Sequence, residues 1–140
     1  MLEFVGQFAV YGCIGILLEF LFTGFHSAIV DRDPRAVAVS YLWMWPIYSL
    51  AGSMLAAIHH TFSGIPFIFV AWIHAYLFEF SAGWILKFVL GRAPWDYGNA
   101  KYGIMGLIRL DYWYLWLLVA IGFNFLEPWL SKVFSLIFNM

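Results

Sequence analysis

From Ala36 to Phe78 the chain reads AVAVSYLWMWPIYSLAGSMLAAIHHTFSGIPFIFVAWIHAYLF, 43 residues without one formal charge. A membrane-spanning helix needs about 20 apolar residues, because it rises about 1.5 Å per residue through a hydrocarbon core about 30 Å thick. The run is too long for one span. His59-His60-Thr61-Phe62-Ser63-Gly64-Ile65-Pro66 supplies turn chemistry inside it. That divides it into a span near 39–58 and another near 65–90. Working outward, residues 4–30 carry a single formal charge, Glu19, and make an earlier span. A fourth begins between Ile104 and Tyr112, where Arg109 and Asp111 interrupt the apolar pattern, and runs to about Glu127. If Ile104–Leu110 forms a re-entrant turn instead, the last span is Tyr112–Glu127. After Pro128, Ser131, Lys132, Ser135 and Asn139 share one narrow helical face, which suits a helix lying flat on the surface. The expected fold is an all-α, polytopic membrane protein with four transmembrane helices over residues 1–128. An amphipathic C-terminal interfacial helix over 129–140 completes it.

Composition supports this class. The 140 residues are 64% apolar and 11% charged, with mean hydropathy +0.85. Soluble domains are about 45–50% apolar and about 25% charged, so a soluble globular protein is excluded. A net charge of −1 excludes a nucleic-acid binder, which needs a basic stripe. The single Cys13 allows no internal disulfide and reads as a small buried apolar residue. No Gly-x4-Gly-Lys-Ser/Thr loop is present, so the chain has no nucleotide-hydrolysing site of its own. His59-His60 lack a third ligand at metal spacing, so neither a metal nor another cofactor is expected.

Six of the seven basic residues fall at or near the first and third loops: Arg32, Arg35, Lys87, Arg92, Lys101 and Arg109. Positive charge marks the cytoplasmic side. Loops 31–38 and 91–103 are therefore expected inside and both termini outside, in a bacterial inner membrane. Tyr41, Trp43 and Trp45, and Tyr112, Trp113, Tyr114 and Trp116, supply aromatic belts at headgroup depth. The N-terminus has no basic stretch and too long an apolar run for a signal peptide, so it reads as a retained first helix.

Leu17-Leu18-Glu19-Phe20 resembles Leu77-Phe78-Glu79-Phe80, with Gly24 and Gly83 following each. A charged loop containing proline comes next in both places, which suggests two parallel helical hairpins. Glu19, Thr23 and His26 share one face of the first helix; Ala75, Glu79, Ala82 and Gly83 line the third. An acid at a helix centre costs about 2.5–3.5 kcal/mol on insertion scales and belongs in the bundle interior. It needs a proton, a cation or a basic partner, and His26, His74 and Arg109 are the basic candidates. The alternative is interhelical glue, with the acids hydrogen-bonded to Thr23, Tyr48 or Tyr76. Pro46 lacks the donor for the Leu42 carbonyl and is expected to kink the second helix near Tyr48.

Phe78-Glu79-Phe80-Ser81-Ala82-Gly83-Trp84, Pro94-Trp95-Asp96-Tyr97 and Gly106-Leu107-Ile108-Arg109-Leu110-Asp111 resemble the animal transmembrane protein 229 group. They are equally similar to its bacterial relatives, which carry a type IV ABC-transporter label. Glu19 and Trp45-Pro46-Ile47-Tyr48 also fit, while Ser49 stands where bacterial members usually have glycine, and the first loop differs. The resemblance spans residues 15 to about 127. It implies an integral membrane protein and points to Glu19, Tyr48, Glu79, Trp95, Asp96, Tyr97 and the neighbourhood of Arg109.

The expected function is a small transporter or permease-like protein with Glu19, Thr23, His26, Tyr48, Glu79, Asp96 and Arg109 as substrate- or ion-binding candidates. Pro46, Gly83, Trp95, Tyr97, Gly106 and Asp111 form the structural motif. Asp96 either braces its loop or reaches Arg109 or Lys101. One alternative is a membrane enzyme acting on lipid, in which Arg109 meets a phosphate and an acid acts as base. Another is an accessory subunit of a larger membrane complex. Partners are membrane lipids and either a second copy or other subunits.

Overall fold

The computed structural model describes residues 2–98 and 100–138, so Asn139 of the expected polar tail face lies outside the described residues. In chain order it has α1 (Leu2–Ile29), α2 (Met44–Thr61), α3 (Gly64–Leu90), β1 (Gly103–Ile104), β2 (Ile108–Arg109), a single 3-10 turn (Leu110–Tyr112) and α4 (Trp113–Phe138). Three stretches are long and apolar enough to cross a membrane: Glu3–Ile29, Gly64–Leu90 and Leu110–Phe138. The 18 residues of α2 would rise about 27 Å. Ser49, Ser53, His59, His60 and Thr61 dilute its apolar character. The chain divides into two compact units, one ending at Met54 and one beginning at Leu55.

In the first unit, glycines let α1 and the start of α2 approach closely. A Cβ on Gly12 would collide with Ser49 and Trp45, one on Gly15 with the Tyr48 ring, and one on Gly52 with Tyr11. Small residues serve helix contact in this way where lipid offers no hydrophobic drive to association. Between the helices the sequence departs from expectation. Residues 39–43, read above as the opening of a span, are not helical. The Thr23 hydroxyl donates to the Val39 carbonyl (3.2 Å) and accepts from the Val39 N–H (3.1 Å). The backbone at Val39 is thereby held against α1 and is not free to enter a helical ladder. The late start of α2 also removes the expected kink. Pro46 is its third residue, where a backbone N–H has no intrahelical acceptor to lose.

The second unit is built on Leu55, Phe67, Ala71 and Ala120, with Ile58, Ile68, Trp72 and Phe123 packed around them. Phe67 stacks on Phe123 at 6.1 Å and meets the edge of His59 at 4.7 Å. The Gly64 N–H at the start of α3 donates to the Asn124 side chain (2.9 Å), which fixes α3 against α4 at that end. At the other end α3 stops at Gly91, whose φ of 77° is the left-handed cap that glycine adopts freely. The last helix passes through Pro128 where a break was expected. Its buried positions Ala120, Glu127 and Phe134 recur every seven residues across the proline. The Ser131 hydroxyl donates to the Glu127 carboxyl (2.6 Å), joining the turns on either side. One missing backbone bond is tolerable when packing and a side chain hold the ladder together.

Gly15→Val should destabilise the protein by about 1–3 kcal/mol through overpacking against Tyr48. Gly122, with no atom near its would-be Cβ, should accept alanine with a gain of up to about 1 kcal/mol. Thermal midpoints in one detergent, compared across the two variants, check both.

Candidate functional site

Two carboxyl groups, one in each unit, organise the polar residues of the spans. In the first unit Glu19 accepts a short hydrogen bond from the Ser40 hydroxyl (2.5 Å) and a second from Tyr48. Thr23, one turn further along α1, gives its hydroxyl to the Glu19 carbonyl (2.9 Å) and to Val39, so it serves the backbone and not the acid. His26 faces Asp31 at 3.5 Å in the exposed loop and is no counter-charge for Glu19. The same loop carries Asp33 and Arg35, joined at 2.8 Å; the guanidinium holds the Asp33 carboxyl below the usual carboxylate range.

In the second unit Glu79 accepts from the Tyr97 hydroxyl (2.7 Å) and from Trp116 on α4. Tyr97 belongs to the connection between α3 and α4, so one carboxyl ties three segments together. Trp95 of that connection lies over Gly83, where a Cβ would come within 2.9 Å of the indole. Its N–H donates to the Leu107 carbonyl (2.9 Å). Asp96 accepts from the Gly98 N–H (2.8 Å) and lies against Gly106. It therefore braces its own loop. The loop closes in a small antiparallel hairpin pairing Gly103 with Arg109 and Ile104 with Ile108. Met105 and Gly106 both hold positive φ at its tip, which is the conformation of a type I′ turn.

Arg109 is committed locally. Its guanidinium grips Asp111 through two bonds of 2.6 and 3.1 Å, donates to the Tyr112 hydroxyl (3.1 Å) and lies over that ring at 4.2 Å. Tyr112 in turn meets Tyr97 edge-on at 6.1 Å. Arg109 thus reaches Glu79 only through two tyrosines. Among the described residues Glu79 forms no ion pair.

Several participants were not singled out in the sequence. Ser40 and Trp116 hold the acids but stand 21 and 37 residues from them, and no local spacing reveals such a pair. Glu127, only 2% exposed, reads in sequence as the polar end of a span. The signal that could have marked it is Ser131 four residues on, one helical turn away. His74, named above as a basic candidate, has a buried Nε2 with no hydrogen-bond partner among the described residues. In the second unit an open cleft of about 440 Å³ is lined by Trp72, Ile73, Tyr76, Leu77, Leu110 and Trp113. The polar atoms of Trp72 and Tyr76 turn away to the carbonyls of Trp113 (2.9 Å) and Leu110 (3.3 Å), which leaves the cleft apolar.

Long apolar helices with hydrogen-bonded acids inside them define an integral membrane protein. Comparison with protein families makes this more specific: the family described as "Putative ABC-transporter type IV" matches residues 7–140, and the chain belongs to it. No solved structure matches the chain.

Tyr97→Phe deletes one donor to Glu79 and should cost about 1–3 kcal/mol, as expected for a hydrogen bond to a carboxylate. Gly106→Ala should cost about as much, since it combines a positive φ with a collision against Asp96. Thermal or denaturant unfolding in detergent measures both.

Proposed function

We propose that this protein is a small permease-like membrane protein in which Glu79, together with Glu19, binds a proton or a small cationic solute within the membrane. The observation that carries the reading is Glu79 itself. Its carboxyl lies well inside a 27-residue apolar helix, receives only neutral donors, and has no basic partner among the described residues. Ionisable groups held in this way within spans mark ion pathways and proton relays. Glu19 repeats the arrangement at a similar distance from the end of its own helix. The enzyme reading is weaker, because Arg109, its phosphate ligand, already holds Asp111 by two bonds.

In this proposal α2 is a fourth span and the chain makes two hairpins in a bacterial inner membrane. Loops 31–38 and 91–103 face the cytoplasm. The protein works as a homo-oligomer or as one subunit of a larger membrane complex.

Reconstituted vesicles carrying a trapped pH dye, with a pH gradient imposed, test the transport role. Wild type should dissipate the gradient and Glu79→Gln should not, although glutamine keeps a carbonyl for Tyr97. Equal fluxes, or none from wild type, would overturn the assignment. Topology is checked separately in a Cys13→Ser background. An impermeant thiol reagent added to intact cells should modify Phe62→Cys and leave Asp33→Cys untouched.

A further inference from the structure

The contacts of α3 give a depth scale. At about 1.5 Å per residue, Gly83, Glu79, Tyr76 and Trp72 stand about 10, 16, 21 and 27 Å from the end of the helix at Leu90. The chain that follows climbs back along this scale. Trp95 and Leu107 meet Gly83, Tyr97 bonds Glu79, the Leu110 carbonyl bonds Tyr76, and the Trp113 carbonyl bonds Trp72. A tyrosine or tryptophan side chain blurs each level by about one helical turn, so Leu110 remains at least about 15 Å up the helix. At the C-terminal end of α3, Phe88 is 82% exposed and Val89 67%, apolar surface that suits lipid, while the exposed Lys87 beside them is long enough to reach the membrane surface. The hairpin and Arg109 therefore lie at hydrocarbon depth and not in a loop beyond the membrane.

Non-helical backbone at that depth is tolerated only where protein buries it or where it lines water. Protein does not bury this segment completely. The Arg109 and Asp111 side chains keep 29% and 34% of their surface. Lys101 is exposed in the same connection. An ion pair about one-third open to hydrocarbon would be far costlier than one equally open to water. We propose that residues 91–98 and 100–112 belong to a re-entrant loop lining a water-filled recess, which enters the membrane from the α3 C-terminal side and brings water, hydrated protons or small hydrophilic cations to the level of Glu79. Tyr97 is then the boundary residue, with its ring against Tyr112 and its hydroxyl on the acid. The inference rests on α3 being a span but not on transport, so its failure and that of the transport reading are separable.

Single cysteines in a Cys13→Ser background test it, in sheared membranes open on both faces, with a permanently charged trimethylammonium methanethiosulfonate. Open membranes make the result independent of orientation. Leu110→Cys and Ile104→Cys, both at exposed positions, should react within about tenfold of Arg32→Cys in the first loop. Phe88→Cys should react at least about 100-fold more slowly, because the reacting thiolate does not form in hydrocarbon. If Phe88→Cys reacts as fast as Ile104→Cys, the end of α3 lies outside the membrane and the proposal falls. If Leu110→Cys is as silent as Phe88→Cys, no water reaches it, and the proposal falls equally. Ile104→Cys carries the measurement alone should Leu110→Cys not be recovered.

Discussion

The carboxyl of Glu79 is the point on which the second half of the protein depends. It takes a hydroxyl from the connecting loop and an indole from α4, so three segments meet on two oxygen atoms. Each bond to a charged acceptor is worth about 1.5–3 kcal/mol, and leaving a buried partner unmade costs as much again. The apolar surfaces of these helices cannot supply such specificity, because lipid is as good a neighbour for Phe88 as another helix is. Registration between the loop and α3 therefore has to come from polar groups and close contacts. Glu79, the Trp95 indole over Gly83 and the tyrosine hydroxyl on Leu110 divide that task.

The first unit solves the same problem with fewer parts. Its returning chain is extended and has no hairpin, and Ser40 takes the place of Tyr97 on the acid. Tyr48 stands where Trp116 stands in the other unit, as the aromatic donor from the following helix. In both cases the chain leaves the end of one helix, doubles back beside it, and begins the next helix only after passing the glutamate. This accounts for the shortness of α2. Part of its expected length is spent as extended chain along α1, with Thr23 satisfying both backbone groups of Val39.

Much of the architecture was legible because hydropathy and length respond to the same constraint, the thickness of the membrane. The bounds of α1 and α3 follow from uncharged runs and from the turn residues between His59 and Pro66. Hydropathy does not, however, distinguish an extended apolar chain from a helical one, and so residues 39–43 read as span. The meaning of Pro46 hung on that error: an interior position would kink a helix, whereas a first-turn position costs nothing. Pro128 misled in the opposite direction, since a seven-residue burial pattern outweighed one lost bond. At the acids, Glu19, Tyr48 and Glu79 stood out as intramembrane polar groups, but Ser40 and Trp116 could be found only once the chain had folded back. Arg109 looked like a free cation because Asp111, two residues away, looked equally free; together they neutralise each other.

The family description names a transporter class, and the sequence contains no Gly-x4-Gly-Lys-Ser/Thr stretch. In the proposed permease reading, a gradient is the energy source that suits Glu79. A carboxyl that receives neutral donors from a loop and from a helix can gain or lose a proton without breaking an ion pair, because none among the described residues is attached to it. Its donors feel the change directly: Tyr97 holds a carboxylate more tightly than a carboxylic acid, since bonds to charged acceptors are about twice as strong. Protonation of Glu79 would therefore loosen the loop at the position where the chain departs furthest from regular structure. The Arg109–Asp111 pair, two tyrosines away, would stay intact and keep the hairpin folded while that contact relaxed. The residue that binds the ion and the residue that fixes the loop would then be one and the same.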